Sequence, residues 1–296
     1  MSRHFPAKTI GQLAEILDLS EKELWQIAKT ATTSYWHKDI PKASGGTRTL
    51  TSPLPRLKLT QRKLHKCLFQ KIELGGASHY GLKGRSNITN AWEHVDCRAI
   101  FTFDLRSFFP SVRPERVNRA LIHELGCTKS VASIITKLVT SDYQLPQGAP
   151  TSTDVANIVT LRLQRRLYGL AVRWSLKFTI YADDISFSGA TLPPDVIDKI
   201  RNVVRNEGFK IHPEKGGVYD KSMPQMVTGL NVAHGVSAGK IKKTWRAELH
   251  KAITEHEAGN ITDVERAKAE VRYKSRMGYA ASVVRLNSRQ PSRKRP

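Results

Sequence analysis

Apolar and polar positions along this chain switch between two periods, and the switches mark out its elements. In the first thirty residues Leu13, Ile16 and Leu17, then Leu24 and Ile27, recur at helical spacing. A capping-box pattern precedes or opens each group, Thr9-x-x-Gln12 and Ser20-x-x-Glu23, so two short helices are predicted. They could form a helix-turn-helix DNA reader; we favour a helical cover for the region that follows. Residues 34–51 read as a hairpin turning at Lys42-Ala-Ser-Gly-Gly46, and Leu57, Leu64, Leu68 and Ile72 as one face of an amphipathic helix. A glycine-rich loop spans 75–84, and Ser86 is placed to cap a short helix holding Asn90-Ala-Trp-Glu-His94. Ala99–Leu105 is an apolar run with β-branched and aromatic residues, which predicts a buried strand. Helices are expected near 114–124, 128–139, 152–172 and 194–207, and short strands within 210–233. A helical tail is expected from about 241 to 281, with Trp245, Leu249 and Ile253 on one face.

The segment Phe178-Thr-Ile-Tyr-Ala-Asp-Asp-Ile-Ser-Phe187 reads as strand except for its two adjacent acids. Neighbouring residues of a flat strand point to opposite faces, so Asp183 and Asp184 imply a tight turn between two strands. Held side by side they repel, unless a divalent cation with a taste for hard oxygen ligands sits between them. The alternative is an ordinary Asp-Asp turn. Asp104, at the end of the 99–105 strand, would add a third carboxylate, though it could instead cap the turn that Ser107 and Pro110 announce. Three such carboxylates are the minimal scaffold for two metal ions about 3.5–4 Å apart, which stabilise both the attacking and the leaving oxygen of an in-line phosphoryl displacement.

Charge sharpens this picture. The 296 residues carry 48 Lys and Arg against 26 Asp and Glu, a net charge of +22. That is the footprint of a nucleic-acid binder. A membrane surface also attracts basic chains, but no long amphipathic or transmembrane segment accompanies the charge, and the N-terminus lacks the apolar stretch of a signal peptide. The basic residues flank the acids: nine Lys or Arg against one acid between Lys38 and Lys71, and fifteen against six from Lys240 onward. This suits a machine that grips a polyanion on both sides of a metal site. Cys67, Cys97 and Cys127 are too few and too scattered for a zinc site or a disulfide framework, so a reduced, cytoplasmic protein is expected.

The order of these elements resembles the palm of nucleic-acid polymerases, and the motifs resemble those of bacterial retron reverse transcriptases. Tyr181-Ala-Asp-Asp184 is similar to that family's Y-x-D-D box, Phe103-Asp-Leu-Arg-Ser-Phe-Phe109 to its first catalytic segment, and Leu145-Pro-Gln-Gly-Ala-Pro-Thr-Ser152 to its L-P-Q-G-x-x-x-S motif. Asn90-Ala-Trp-Glu-His94 and Val227-Thr-Gly229 are similar to the N-A-x-x-H and V-T-G signatures of the retron branch. The resemblance runs from about residue 34 to residue 235. It implies an α+β right-hand polymerase fold: an N-terminal helical extension at 1–33, fingers with part of the palm at 34–98, the palm's antiparallel sheet and helices at 99–235, and a small helical thumb at 236–284. A basic, disordered tail at 285–296 is expected from composition.

The resemblance assigns roles residue by residue. Asp104, Asp183 and Asp184 would hold two Mg²⁺ ions, with the backbone carbonyl of Leu105 a further ligand. Phe109 would lie under the sugar of the incoming dNTP and exclude a 2′-hydroxyl; a plain core aromatic is the alternative. Gln147 and Gly148 would approach the nucleotide, unless theirs is only a surface loop. Arg48 would contact the triphosphate, unless it merely belongs to a solvated basic face. Lys215 would protonate the departing pyrophosphate, although His212-Pro-Glu-Lys215 departs from the family's Asn-led version. Thr153-Asp154 likewise replaces a Pro that the family carries at the start of the next helix. Asn90, His94, Thr228, Lys240, Lys242, Lys243 and Arg246 are RNA-contact candidates, with buried structural roles equally open for Asn90 and His94.

The family further implies a cognate structured non-coding RNA and a branched, RNA-linked DNA product (msDNA) primed from a guanosine 2′-hydroxyl. It also implies a possible effector protein in an antiphage system, and a host RNase H acting on the template, since the chain has no room for such a domain. No membrane partner is expected. The alternatives are another small prokaryotic reverse transcriptase, of the group II intron or diversity-generating type, or an RNA–DNA scaffold that restrains an effector.

Overall fold

The computed structural model describes residues 5–41 and 46–289, the side chains of 239–244 and 286–289 excepted. The chain is α+β with antiparallel sheets. Helices α1 (Ile10–Ile16) and α2 (Glu21–Thr30) begin at Thr9 and Ser20, each closed by the expected reciprocal capping box. Their apolar faces join the main core through Leu13, Leu17, Leu24 and Ile27, which makes them a cover. Strands β1 (Tyr35–Pro41) and β2 (Thr47–Pro53) pair as a hairpin, with Ile40 opposite Arg48; most of its turn lies outside the described residues. Helix α3 (Pro55–Cys67) follows and tightens into a 3₁₀ turn at Phe69–Lys71, so the amphipathic face that continues to Ile72 is not one helix.

After the glycine-rich loop come α4 (Asn87–Trp92), β3 (Ala99–Leu105), α5 (Phe108–Ser111), α6 (Pro114–Leu125), α7 (Lys129–Val139) and the long α8 (Ser152–Arg173). Strands β4 (Lys177–Tyr181) and β5 (Asp184–Gly189) form the acid-bearing hairpin, and α9 (Pro194–Asn206) leads to β6 (Ile211–Asp220). The main sheet runs β4-β5-β3-β6, antiparallel throughout. Its outer edge at β4 is covered by the loop: Ile180 N donates to Ala77 O and His79 N to Ile180 O, both 2.9 Å.

The period-2 alternation of these strands builds two different faces. Phe101, Phe103, Leu105, Phe178, Ile180, Ile185 and Phe187 point into the large core shared with α6, α7, α8 and α9. Ile100, Thr102, Thr179, Ser186 and Ser188 alternate with them and face the other way. A second, smaller core sits there, built from Ile88, Ala91, Ile100, Val227, Leu230, Ala280 and Val283. It joins α4, the two-residue strands β7 (Met226–Val227) and β8 (Leu230–Asn231), and the helical tail.

Two expectations about this half are corrected. Residues 211–220 form one ten-residue strand, because β3 offers it a continuous partner. The tail is two antiparallel-neighbour segments in contact, α10 (Gly239–Glu257) and α11 (Asp263–Arg289), broken where Gly259 takes φ +74° and Thr262 with Glu265 caps the next helix. Helix α11 also runs through Arg289, into the stretch read from composition as a disordered tail; 290–296 lie outside the described residues.

Strand β6 is bulged. Gly216 pairs with Phe103 and Ile211 with Leu105, so residues 212–215 loop out opposite Asp104. Gly216 closes the bulge at φ +88°, where a Cβ would stand 2.0 Å from Thr102 O. Backbone cannot yield there as a flexible side chain could. Gly216→Ala is therefore expected to lower stability by at least about 3 kcal/mol, measured as the urea midpoint; an unchanged midpoint would show that the bulge relaxes freely.

Candidate active site

The acid hairpin forms as its sequence dictates. Tyr181 pairs with Asp184, leaving Ala182 and Asp183 as a two-residue turn, with Ala182 at φ +59°. A positive φ at the first turn position matches the twist of flanking strands, and a non-glycine residue held there is a strained one. Across the sheet, Asp104 on β3 is the register partner of Asp184 on β5. Directly opposed residues point to the same face, so these two carboxylates meet on the side away from the main core. Leu105 N donates to Asp183 O at 2.9 Å, which fixes the turn against the end of β3.

The electrostatics of this cluster are costly. Burial pushes the Asp184 carboxyl up to about 7, and the charges of Asp104 and Asp183 push in the same direction. Burial also raises Asp183, helped by Asp104. The β6 bulge brings Lys215 Nζ to 2.8 Å from Asp104 Oδ2, and that bond raises the lysine in turn. Among the described residues no three His, Cys, Asp or Glu side chains converge as a ready cage for a metal, and Asp104 is paired with Lys215. The donor set nonetheless fits a hard cation: Asp104 and Asp184 on one face with Asp183 beside them, and in Asp184 a raised proton affinity that added positive charge would relieve.

The other sequence-predicted residues gather around it to different degrees. Phe109 is half-buried, edge-on to Phe108 at 5.5 Å, and its carbonyl accepts from Leu145 N at 3.3 Å. The Leu145–Ser152 loop is thereby tied to the segment after Asp104. Gln147 O accepts from Thr51 N at 2.7 Å, which joins the same loop to the β1–β2 hairpin. Gly148 sits at φ +121°, where a Cβ would come within 2.6 Å of Leu50, so the close approach needs glycine. Arg48 lies exposed on β2, three residues before Thr51, about 10 Å along the strand. The departure at Thr153-Asp154 leaves the start of α8 intact. Asp154, in its first turn, bonds His65 Nδ1 at 2.8 Å and links α8 to α3.

Asn90 and His94 are not available to RNA. Both are 0% exposed, because four-residue spacing puts them on the inward side of α4 and the turn that continues it. His94 is bonded at 2.7 Å from Nδ1 to Ser188 Oγ and at 2.7 Å from Nε2 to Thr179 Oγ1. Burial, with Lys177 and His79 nearby, takes its pKa down to about 3, so it stays neutral and clamps both strands of the acid hairpin to α4. His94→Ala should cost about 3–4 kcal/mol of stability through the cavity and the stranded hydroxyls. Thermal melting checks this; a fully stable variant with weakened RNA binding would return His94 to an RNA interface.

Thr228 is also engaged within the fold. Its hydroxyl donates to Asn87 O at 3.0 Å, and it stands at φ +45° in the turn between β7 and β8, where Gly229 is at φ +79°. Its backbone N–H acts on the Asp184 carboxylate, favouring the charged form. Sequence reasoning missed this support, since a main-chain donor leaves no mark in residue identity. It missed Asn157 too, which bonds Ser78 Oγ and Tyr80 O and so seats Tyr80 edge-on to Tyr181 at 5.1 Å. Arg246 is exposed on α10; the side chains of Lys240, Lys242 and Lys243 lie outside the described residues.

Residues 40–232 match the family described as reverse transcriptase (RNA-dependent DNA polymerase). Retron Ec86 reverse transcriptase of Escherichia coli is 30% identical over 226 residues, covering 75% of this chain and 69% of that protein. This chain belongs to the retron reverse transcriptases. It is also 35% identical over 276 residues to retron Mx65 reverse transcriptase and 33% identical over 284 residues to retron Mx162 reverse transcriptase, both of Myxococcus xanthus. Those matches cover 86% and 83% of this chain, but only 62% and 58% of the two relatives, so it spans about three fifths of their length. Reverse transcriptases generally use divalent metal ions, in keeping with the carboxylate cluster. Among the described residues no helix is long and apolar enough to cross a membrane.

Proposed function

We propose that this chain is an RNA-directed DNA polymerase that copies a structured non-coding RNA into a branched, RNA-linked DNA primed from a guanosine 2′-hydroxyl. The observation that carries the polymerase reading is the pairing of Asp104 with Asp184 on one face of the sheet, beside Asp183 on the turn. In this reading the β1–β2 hairpin and α3 are fingers, the four-stranded sheet with its helices is the palm, and α10 with α11 is the thumb. Asp104, Asp183 and Asp184, with the carbonyl of Leu105, would hold two Mg²⁺ ions. When bound, these supply Lewis-acid charge at the attacking and leaving oxygens.

The protein's own groups do the rest. Phe109 lies beside the Gln147–Gly148 loop, where its ring can close the space a ribose 2′-hydroxyl would need. Gln147 and Gly148 position the dNTP, and the Arg48 fork takes its phosphates. Lys215, once released from Asp104, would face the departing pyrophosphate as proton donor. Thr228, Arg246 and the lysines of α10 would read a structured RNA through its phosphates and shape. Three free cysteines suit the reducing cytoplasm, with a host RNase H to remove template and an antiphage effector as the product's partner.

The test is expression of this chain with its adjacent non-coding locus, wild type and Asp183→Asn/Asp184→Asn, followed by analysis of extracted nucleic acid. A small RNA–DNA species trimmed by debranching enzyme, and made only with intact acids, is the expected result. Primer extension on RNA without a branched species would keep the polymerase and reject 2′-hydroxyl priming. Neither activity would leave a scaffold that binds RNA–DNA.

A further inference from the structure

A second basic site lies on the outer side of the main core, where α6, α8 and the turn after α9 meet. Helix α8 starts beside the Gln147 loop and brings Arg162 to this place about 15 Å further along its axis. A cavity of about 330 Å³ opens there, lined by Arg116, Arg119, His123 and Arg162, with Glu124 and Glu207. Both carboxylates are only 10% exposed and already matched: Glu124 by Arg165, and Glu207 by Arg162 at 3.3 Å and Arg166 at 2.7 Å.

That leaves two guanidinium groups, Arg116 and Arg119, outside these ion pairs. Arg116 donates to the main-chain carbonyls of Glu207 at 3.0 Å and Gly208 at 2.9 Å and lies over the Phe209 ring, 4.1 Å from its centroid. Arg119 is exposed and makes no ion pair among the described residues. Burial, and then the charge of Arg119, lowers Arg116 from its usual value against the opposing pull of Glu207, so an anion here would offset the repulsion between the two arginines. Arg116 is fixed in place by two carbonyls and a ring, and Arg162 by a buried acid, which lowers the entropic cost of capturing a phosphate oxygen. One turn beyond Arg165, Tyr168 is 57% exposed and offers a ring to an unstacked base.

We infer that this cavity binds a phosphodiester of nucleic acid that extends beyond the catalytic cleft. The inference goes beyond the proposed function: it needs only that the chain binds nucleic acid, whatever primes the synthesis. A groove built for a free metabolite would be enclosed, whereas this one is open and rimmed by the largely exposed side chain of Arg162. The site would therefore contact long substrates and ignore short ones.

The test uses the full chain, Arg119→Ser/Arg162→Ser and the charge-keeping Arg119→Lys/Arg162→Lys. Glu207 keeps Arg166 in both, so the fold retains its internal pair. Binding is measured against salt for a primer–template no longer than the cleft and for one several helical turns longer. For the long substrate, the Ser variant should reduce the magnitude of the slope of log K against log salt by about one, for the phosphodiester that is no longer neutralised. The Lys variant should restore it, and extension of the short substrate should be unchanged. An unchanged slope on the long substrate overturns the inference. Should the Ser variant not fold, phenylglyoxal modification of the wild type decides. Protection of Arg119 and Arg162 by long RNA, but not by inorganic phosphate, supports the site; equal modification with and without RNA overturns it. A wild type that extends the short substrate yet gains nothing from length overturns this inference and leaves the polymerase reading standing.

Discussion

Asp184→Asn is expected to lower the rate of nucleotide addition by about 10³-fold or more, since under the proposed function it removes charge from the place where transition-state charge must be balanced. The same change should leave the fold intact and alter how stability depends on pH. Burial and the neighbouring Asp104 and Asp183 lift Asp184 from the usual carboxylate value of 3.8 to about 7. The folded chain thus holds this proton more tightly than the unfolded one. Its contribution to stability is full below the unfolded value and is lost as pH rises through the folded one, a window from about 4 to about 7. In chelator, the melting temperature of the wild type should therefore fall across that window more steeply than that of Asp184→Asn. Adding Mg²⁺ above pH 7 should raise the wild type: at ten times the dissociation constant the gain is about 1.4 kcal/mol, roughly 3 °C for a chain of this size. The variant should show little of that rise. Equal Mg²⁺ shifts in both proteins would remove Asp184 from the metal site.

Phe109→Val should turn a DNA polymerase into one that accepts ribonucleotides. The ring is half-buried and braced edge-on by Phe108, and its own carbonyl holds the Leu145 loop; under the proposed function a ring so braced would bar a 2′-hydroxyl. Shortening it opens that space without adding charge. The ratio of kcat/KM for dNTP over the matching rNTP is expected to fall roughly 10–200-fold, the range that a steric pocket commands. Most of the change should come from faster ribonucleotide use. A ratio unmoved by Phe109→Val, with dNTP use reduced, would make the ring a core aromatic and place the sugar elsewhere.

The same region shows how differently local and long-range information are written in a chain. The two N-terminal capping boxes, the Ser86 cap and the long α8 form where the sequence placed them, because a cap or an amphipathic stripe is decided within a few residues. The break between α10 and α11 carried a local signal as well, Gly259 followed by the Thr262–Glu265 capping pair, and went unread because the apolar spacing on either side of it is helical. The role of His94 had no such signal. A histidine at that spacing suits an RNA contact or an interior clamp equally well, and only the packing of α4 on the back of the hairpin decides for the clamp.

The sequence by itself determined that two adjacent acids must sit at a tight turn, that a third lies at a strand end, and that a strongly basic chain surrounds them. Each of these follows from backbone geometry or from charge counted along the chain, and needs no distant partner. Tertiary structure alone decided that Asp104 stands opposite Asp184, that a bulge delivers Lys215 to Asp104, and that the Thr228 amide supports Asp184. Register, bulges and main-chain donors arise when segments far apart in sequence share one sheet or one core, and the identity of a single residue does not encode its neighbour across that distance.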